Sequence, residues 1–282
     1  MTMRGWIRRV GFWGLDALRG GHIRRHYQEV KSMNDTETCN TAQLQKLLDH
    51  AVRTTAFYRA CDPNDFDSFP VLTKNDLKTR WNDICSEAFS DKLVYTTSTS
   101  GSTGIPLEMK WNADKRARQL AEMVYFYERA DHRLGERFVF FRENQNKKTK
   151  SRIKQWQQNM YDYDVTSFDD EKMSEIYRLL TKKPYIQCYI AYGSFHEAFI
   201  KYLRKQPSLT GRFHTESIVT SSEVFSMESK EELHALTGAK VFDRYSNEEN
   251  GFIAQSENLS DSYWVNTASF KVEILKQDED AP

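Results

Sequence analysis

Thirteen residues decide how the rest of the chain is interpreted, and they read Tyr95-Thr96-Thr97-Ser98-Thr99-Ser100-Gly101-Ser102-Thr103-Gly104-Ile105-Pro106-Leu107. The stretch holds seven serine or threonine hydroxyls and two glycines. Glycine lets the backbone approach a ligand closely, and successive backbone N–H groups form a concave site for anions. The stretch therefore predicts a loop that holds a polyphosphate. An exposed Ser/Thr turn is the alternative, since neither G-x-x-x-x-G-K-[ST] nor G-x-G-x-x-G is present.

The segments on both sides of this loop alternate between helical and extended patterns. Apolar residues recur every three or four positions, the spacing of a helix, after Asn40, from Asn112 and over 173–180. Helices are also expected from Thr73, after Ser194 and over 227–236. Short apolar runs predict strands at Phe138–Phe141, Tyr185–Ile190, Ser217–Thr220, Val241–Tyr245 and Phe270–Leu275. This alternation predicts an α/β protein of layered, mostly parallel sheets with helices.

Two of the predicted helices begin with the pattern of a capping box. Asn40 precedes Gln43 by three residues, and Ser194 precedes Glu197 by three residues. In such a pair the first side chain accepts a hydrogen bond from the backbone N–H three residues later, and the second side chain reaches back. We therefore expect Asn40 and Ser194 to be N-caps.

Composition and charge exclude several classes of protein. Lys plus Arg number 40 and Asp plus Glu number 40, so the net charge is zero and argues against a nucleic-acid-binding protein. Arginines interrupt every apolar run near the N-terminus, where a signal peptide would need an unbroken one. The four cysteines are scattered without metal-ligand spacing, which argues against structural zinc and a disulfide scaffold. We expect a cytoplasmic protein.

The order of residues in the loop adds a resemblance to a known family. Thr99–Pro106 resembles the phosphate loop of the adenylate-forming enzyme superfamily. The patterns Leu47–Arg59 and Phe69–Leu77 look like the N-terminal part of the phenylacetate-CoA ligase branch, and Phe12–Tyr27 is closest to CapK-type capsular polysaccharide proteins. The resemblance implies the fold of the large N-terminal, ATP-binding domain of an adenylate-forming enzyme.

The resemblance also implies residues that bind the nucleotide. The phosphate loop would consist of Thr97, Ser98, Thr99, Ser100, Gly101, Ser102, Thr103 and Gly104, with Thr99 also acting in catalysis. The segment Ile218–Glu223 resembles a family loop that ends in a Gly/Ser-Glu step beside the adenine, so Ser222 and Glu223 would bind there. Tyr245, Ser246 and Asn247, in a segment that resembles Y-G-x-[ST]-E, would also bind the nucleotide, with Tyr245 against the adenine.

A metal ligand and a pocket for the acid follow from the same resemblance. Glu249 would be a catalytic residue and the ligand of Mg²⁺, since hard cations prefer carboxylate oxygens. A solvated acidic turn at residues 248–249 is the alternative. Tyr192 and Gly193 would line the acyl pocket, and an ordinary strand-to-helix turn is the alternative there.

Two departures from the family pattern qualify the expected activity. Leu107 stands where many members carry lysine, although the phenylacetate-CoA ligase branch also lacks that lysine. The family's later motifs, including the lysine of the mobile C-terminal domain, are missing from this sequence. The domains are therefore expected to be a basic, aromatic helical segment at 1–40 and an incomplete ATP-binding domain at 41–282, without the mobile domain.

The expected function is activation of a small carboxylic acid by ATP, with Mg²⁺, for transfer to CoA or another acceptor. The CapK-type resemblance suggests a role in capsular polysaccharide synthesis. The alternative is a truncated, inactive nucleotide-binding or scaffold protein of the same fold. Residues 1–31 carry seven Lys or Arg and several aromatic residues. They are expected to pack onto the domain, with contact to a membrane surface or to polysaccharide-assembly partners as the alternative.

Overall fold

The structure, a computed structural model, describes residues 1–36, 40–89, 95–98, 108–143, 155–156, 158–247 and 249–274. The chain divides into two compact units. Unit 1 comprises Met1–Gln28 and Arg118–Val265, and unit 2 comprises Glu29–Ala117 and Asn266–Pro282. Each unit is described separately below.

The α-helices, in chain order, are α1 (Met3–Leu18), α2 (His22–Asp35), α3 (Thr41–Thr54), α4 (Lys74–Thr79), α5 (Trp81–Ile84), α6 (Ala113–Arg129), α7 (Asp170–Thr181), α8 (Gly193–Arg204) and α9 (Met227–Thr237). Short 3-10 turns occupy Phe66–Ser68, Glu87–Phe89 and Pro207–Leu209. The strands are β1 (Tyr95–Ser98), β2 (Glu108–Trp111), β3 (Phe138–Arg142), β4 (Met160–Asp164), β5 (Cys188–Ala191), β6 (Ser217–Ser221), β7 (Lys240–Asn247), β8 (Gly251–Ser256) and β9 (Tyr263–Val265).

Unit 1 is built on a seven-stranded sheet in the order β4-β3-β5-β6-β7-β8-β9. The strands from β4 to β7 pair in parallel, and β8 and β9 add an antiparallel edge. Parallel strands require crossovers, and α8 and α9 supply two of them between β5, β6 and β7. The predicted α/β class with a mostly parallel sheet is confirmed.

The core of unit 1 lies on both faces of this sheet. On one face, α7, α8 and α9 bury Ile176, Phe199 and Leu233 against strand residues such as Tyr189 and Ile218. On the other face, the alternate strand residues pack against the end of α6, in a cluster of Tyr127, Ala130, Phe138, Cys188, Ile190, Val219 and Phe242. Because both faces are covered, every residue of the central strands β5 and β6 is buried, including the polar Ser217, Thr220 and Ser221 of β6.

Unit 2 holds α3, α4, α5, the β1–β2 hairpin and the segment after Asn266. Asn34 organises part of it, since its side chain donates to Asn266 Oδ1 at 3.0 Å and accepts from Ala268 N at 3.1 Å. Thr73 and Asp76 form a complete capping box at the start of α4. The Asn40 side chain caps α3 by accepting from Gln43 N at 3.0 Å, as predicted.

One predicted strand is wrong and another is displaced. Residues 270–274 are not a strand, although Phe270–Leu275 has a strand-like apolar pattern; Val272 and Ile274 are exposed, and Leu275 lies outside the described residues. A strand needs a pairing partner and a buried face, and the pattern alone supplies neither. The strand expected from Tyr185 begins only at Cys188.

The N-terminal residues are helical, as predicted, but α1 packs differently from the expectation. Its buried residues are Gly5 and Asp16. Trp6, Ile7 and Val10, which were expected to pack onto the domain, are exposed. Among the described residues, no helix has the length and apolar content needed to cross a membrane. The division of the chain at residue 40 stays a prediction.

Candidate functional site

The candidate site lies at the carboxyl edge of the unit 1 sheet. Strands β5, β6 and β7 are neighbours and parallel, with Ala191 opposite Thr220 and Ser221 opposite Arg244. Their carboxyl ends therefore meet at one edge, where open α/β sheets bind ligands. Three sequence-predicted segments lie at these strand ends: Tyr192–Gly193 follows β5, Ser222–Glu223 follows β6, and Tyr245–Asn247 forms the last three residues of β7. The fold brings them to one edge although 55 positions separate Tyr192 from Asn247.

The first two segments are in direct contact through Glu223. Its Oε2 accepts a hydrogen bond of 2.6 Å from the backbone N–H of Ser194, in the first turn of α8. The helix N-terminus carries partial positive charge and unpaired N–H groups, so a carboxylate there is stabilising. Glu223 thereby ties the loop after β6 to the start of α8.

This contact corrects the predicted capping box at Ser194. The N-cap of α8 is Tyr192, which has no side-chain capping bond, and Ser194 lies inside the helix. The carboxylate of Glu223 performs the capping that the sequence pattern assigned to Ser194. The side chain of Glu197 does not reach back; it accepts from Ser229 Oγ at 2.5 Å.

Gly193 is required by the same close packing. A Cβ atom at this position would lie 3.0 Å from the backbone oxygen of Val224 and 3.4 Å from Cβ of Glu223. Tyr192 beside it is half-buried. The predicted acyl-pocket residues thus lie at the same edge as the predicted nucleotide residues.

Ser222 adopts an unusual backbone conformation. Its φ is +71°, in the left-handed region that favours glycine. The loop it opens is exposed, and Val224 in that loop retains 99% of its accessible surface. The Gly/Ser-Glu step inferred from the sequence therefore falls where the backbone itself prefers glycine.

Tyr245 projects from β7 with 63% of its surface exposed. Its neighbour Arg244 is buried, with its guanidinium 4.5 Å from the ring centre of Tyr127 and 4.6 Å from that of Phe252. Arg244 also donates to Gln255 Oε1 at 2.9 Å, and Gln255 donates to the backbone oxygen of Phe126. These buried contacts of Arg244 hold β7 in place, while the ring of Tyr245 is exposed to solvent at the site.

A tight turn follows β7. Asn247 Oδ1 accepts from Asn250 N at 2.7 Å, and Gly251 has a φ of +98°. Ser246 and Glu249 are half-buried, and residue 248 lies outside the described residues. Glu249 follows the end of β7, and within the described part of the chain it forms no ion pair.

The donor chemistry at Glu249 fits a magnesium ion held mainly by its substrate. Across the described residues, no group of three or more His, Cys, Asp or Glu side chains could enclose a metal. Magnesium is commonly held by one or two carboxylates together with phosphates and water. A single carboxylate therefore suits Mg²⁺ that arrives with a nucleotide.

A buried polar network beside the site was not predicted from the sequence. Lys230 of α9 is 2% exposed, and its Nζ lies 3.4 Å from Asp243 Oδ2 and 3.1 Å from Asp261 Oδ1. Tyr263 donates to Asp243 Oδ2 at 2.5 Å. The pKa of the Tyr263 hydroxyl is raised, mainly because the group is partly buried and secondly because of this hydrogen bond. Asp243-Arg244 inside an apolar run was the available signal, because charged residues in a central strand need buried partners.

The predicted phosphate loop belongs to unit 2. Thr97 and Ser98 end β1, and Ser98 is opposite Glu108, the first residue of β2, in an antiparallel pair. Thr99, Ser100, Gly101, Ser102, Thr103 and Gly104 lie outside the described residues. Their predicted role in binding phosphate stays a prediction.

Comparison with known proteins identifies the fold. No family model matches the chain, and no curated protein sequence matches it. Among solved structures, 2-hydroxyisobutyryl-CoA ligase in an open conformation with 2-HIB-AMP and CoA is 13% identical, with a TM-score of 0.55 over 77% of this chain and 55% of the ligase. The same ligase in the postadenylation state with 2-HIB-AMP is 13% identical, with a TM-score of 0.57 over 79% of this chain and 51% of the ligase.

At this level of identity the likeness shows a shared fold. The chain shares its α/β fold with this ligase, and the predicted fold class is confirmed. It spans about half the length of the ligase that it matches.

Proposed function

We propose that this chain binds ATP and serves to activate a carboxylic acid as an acyl-adenylate. A carboxylate oxygen would attack the α-phosphorus of ATP, and pyrophosphate would leave as the bond between the α- and β-phosphates breaks. The thiol of CoA, or another acceptor, would then take the acyl group and release AMP. One observation carries the proposal: three predicted ligand-binding segments converge on one edge of a sheet whose fold is shared with a ligase solved with an acyl-AMP.

The nucleotide would lie along the ends of β6 and β7. Tyr245 offers an exposed aromatic face, and stacking of a base on such a ring contributes about 1–3 kcal/mol. Ser222, Glu223, Ser246 and Asn247 supply hydroxyl, carboxylate and amide groups at the same edge. These groups suit the hydrogen-bonding edge of an adenine.

Glu249 would hold Mg²⁺, which neutralises phosphate charge when it is bound. The support is that Glu249 is half-buried and lies two residues beyond the end of β7, the strand that carries Tyr245. Thr97–Gly104 would bind the phosphates, on the evidence of their sequence pattern. Thr99 would act there in catalysis.

The acid would bind beside Tyr192 and Gly193, which adjoin the predicted nucleotide segment through the contact between Glu223 and Ser194. We further propose that the chain is similar in function to the phenylacetate-CoA ligase branch, and that the acid it activates is destined for surface polysaccharide. The support for this step is the CapK-like pattern of residues 12–27.

Calorimetric titration of the full chain with Mg·ATP and with AMP in the absence of metal tests the proposal. We expect saturable binding of both ligands by the wild type. Tyr245→Ala should weaken both by roughly 5- to 100-fold, because it removes the stacking surface. Glu249→Gln should weaken Mg·ATP and leave metal-free AMP unchanged, because only the first ligand uses the carboxylate–metal contact.

Two matched variants control for general effects of substitution. Tyr185→Ala removes an exposed tyrosine that precedes β5, at the amino edge of the same sheet. Glu231→Gln neutralises an exposed glutamate on α9. Both should bind like the wild type. A folded wild type that binds neither ligand, or equal losses in the control variants, would refute the nucleotide site.

A further inference from the structure

The outward face of α1 is apolar, which is the reverse of the usual arrangement in a surface helix. Its exposed residues are Met3, Arg4, Trp6, Ile7, Val10, Gly11, Gly14, Leu15, Ala17 and Leu18, of which Arg4 alone is charged. Met3, Ile7, Val10 and Gly14 follow the helical spacing that places them along one line. Ile7 keeps 55% of its surface exposed and Leu18 keeps 87%.

The contacts of the opposite face fix this orientation. A Cβ atom on Gly135 would lie 2.3 Å from the backbone oxygen of Gly5, so α1 rests directly on the chain at Gly135. Thr2 donates to the carboxylate of Glu136 through its backbone N–H and its hydroxyl. Arg9 pairs with Glu128 at 3.3 Å. Rotation of the helix to bury Ile7 and Val10 would break all of these contacts.

The junction with the next helix adds a second constraint. Asp16, the one acidic residue of α1, is buried, and its carboxylate accepts from Ile23 N at 3.1 Å and from Arg24 N at 2.9 Å. It therefore caps the start of α2 and contributes no negative charge to the outward face. The apolar face is held outward by the fold at both ends of the helix.

Arginines flank this face. Within the residues that the structure describes, Arg4, Arg19 and Arg24 form no ion pair. Arg8 lies 5.7 Å from the ring centre of Trp156, which is itself exposed. A cavity of about 500 Å³ beside α1 is lined by the guanidinium-bearing Arg9 and Arg24 together with Trp6, Val10, Trp13 and Ala17.

We propose that α1 docks this chain on the surface of a membrane that contains anionic lipid. The face combines tryptophan and aliphatic side chains with flanking arginines, the composition of helices that lie in the headgroup region. The helix has 16 residues and is therefore about 24 Å long, enough to lie along a bilayer surface. The cavity beside it, in which Arg24 and the Glu128-paired Arg9 lie among apolar side chains, suits a phosphate-bearing headgroup.

Charge favours this occupant over a second copy of the chain. A symmetric contact between two copies would place identical arginine-flanked faces against each other, with no acidic side chain from α1 to compensate. An anionic bilayer supplies the complementary charge, and each basic residue near such a surface adds to binding. The whole chain has no net charge, so the attraction must come from this local cluster.

Flotation of the full chain with phosphatidylcholine vesicles, with and without phosphatidylglycerol, tests the proposal. We expect the wild type to float with the anionic vesicles and to be released by salt. Ile7→Ser/Val10→Ser should lower binding by at least about tenfold, because it removes apolar surface that enters the bilayer. Arg4→Gln/Arg19→Gln should lower binding to anionic vesicles by about tenfold, because it removes two charges.

A matched control is Leu47→Ser/Val71→Ser, which changes two exposed apolar residues of unit 2 and should float like the wild type. Circular dichroism of the variants should be unchanged, because every substituted residue is exposed. A folded wild type that does not float with anionic vesicles overturns the proposal. So does a concentration-dependent dimer, measured by analytical ultracentrifugation, that Ile7→Ser/Val10→Ser abolishes, because a second copy would then cover the face.

Discussion

At the scale of single residues, Ser222 shows strain next to the candidate site. A residue other than glycine at positive φ places its Cβ too close to the carbonyl oxygen, at a cost of roughly 1–2 kcal/mol. Its φ of +71° aims the following residue, Glu223, at the N-terminus of α8. The strain is therefore coupled to a contact that positions the site.

Ser222→Gly should relieve this strain. We expect the free energy of unfolding to rise by about 0.5–1 kcal/mol, less than the full strain because glycine also gains entropy in the unfolded chain. Urea denaturation of the full chain measures the change. Ser262→Gly, at an exposed position without positive φ, is the matched control and should be neutral or slightly destabilising. A loss of stability in Ser222→Gly larger than in the control would contradict the strain argument.

Residues also show how far the sequence could predict local structure. The Asn40 cap was predictable because donor and acceptor are three positions apart. The same reasoning failed at Ser194 because the capping carboxylate comes from Glu223, 29 positions later. A local pattern cannot include a partner that comes from a loop distant in sequence.

At the scale of elements, Lys230 links a helix to the strand that carries Tyr245. Its side chain is 2% exposed, and its ammonium group lies between Asp243 on β7 and Asp261 near β9. Removal of one partner from a buried ion pair leaves an uncompensated charge, which costs about 3–5 kcal/mol. The position of α9 on the sheet thus depends on a polar contact as well as on apolar packing.

Lys230→Met should therefore destabilise unit 1 by about 3–5 kcal/mol, because Asp243 stays buried without its cation. The free energy of unfolding in urea measures the loss. Lys240→Met breaks an exposed pair with Asp131 of 2.6 Å and should cost no more than about 1 kcal/mol. If the two substitutions lower the free energy of unfolding equally, burial of the Lys230–Asp243 pair does not add to its contribution to stability.

Elements also mark where prediction from sequence ends. Helix α7 was predicted because its apolar spacing is regular, and it buries Met173, Ile176 and Leu180. Helix α9 was also predicted, but it buries Leu233 together with the polar Lys230 and Thr237. Strand β4 was missed, because Met160–Asp164 alternates aromatic with acidic residues and is only partly buried. Residues 270–274 have the composition of a strand without the partner that would make them one.

At the scale of the whole molecule, the candidate site depends on strand order. The sequence predicted strands that end shortly before Tyr192 and Ser222 and at Tyr245, but it could not show that β5, β6 and β7 are neighbours. Only the order β3-β5-β6-β7 places their carboxyl ends together. The class of fold follows from local alternation, whereas the convergence of the site follows from pairing over long distances.

Buried histidines connect the core of unit 1 to the stability of the chain in acid. Burial lowers the pKa of His132 to about 4 and that of His196 to about 3, because the protonated ring loses its solvation. The ring of His132 packs 5.2 Å from that of Phe138 and 5.9 Å from that of Tyr127. In the unfolded chain both imidazoles titrate near pH 6.5.

This difference predicts acid lability with a definite range of pH. Above pH 6.5 both states hold neutral imidazoles; as pH falls below that value, the unfolded state binds protons that the folded state excludes. The free energy of unfolding should therefore fall by roughly 1.4 kcal/mol per pH unit for each ring, until the folded pKa is reached. For His132 the loss ends near pH 4, and for His196 it continues to about pH 3.

Urea denaturation at several pH values between 7 and 4, for wild type and His132→Phe, measures the number of protons linked to unfolding. His132→Phe should lower the slope against pH by about one proton, because one excluded imidazole is gone. Phe138→Leu is the control, because it loosens the same aromatic cluster and should lower stability equally at every pH while the slope stays unchanged. If the free energy of unfolding changes with pH by the same slope in all three proteins, protonation of His132 in the unfolded chain does not contribute to acid lability, and the prediction is wrong.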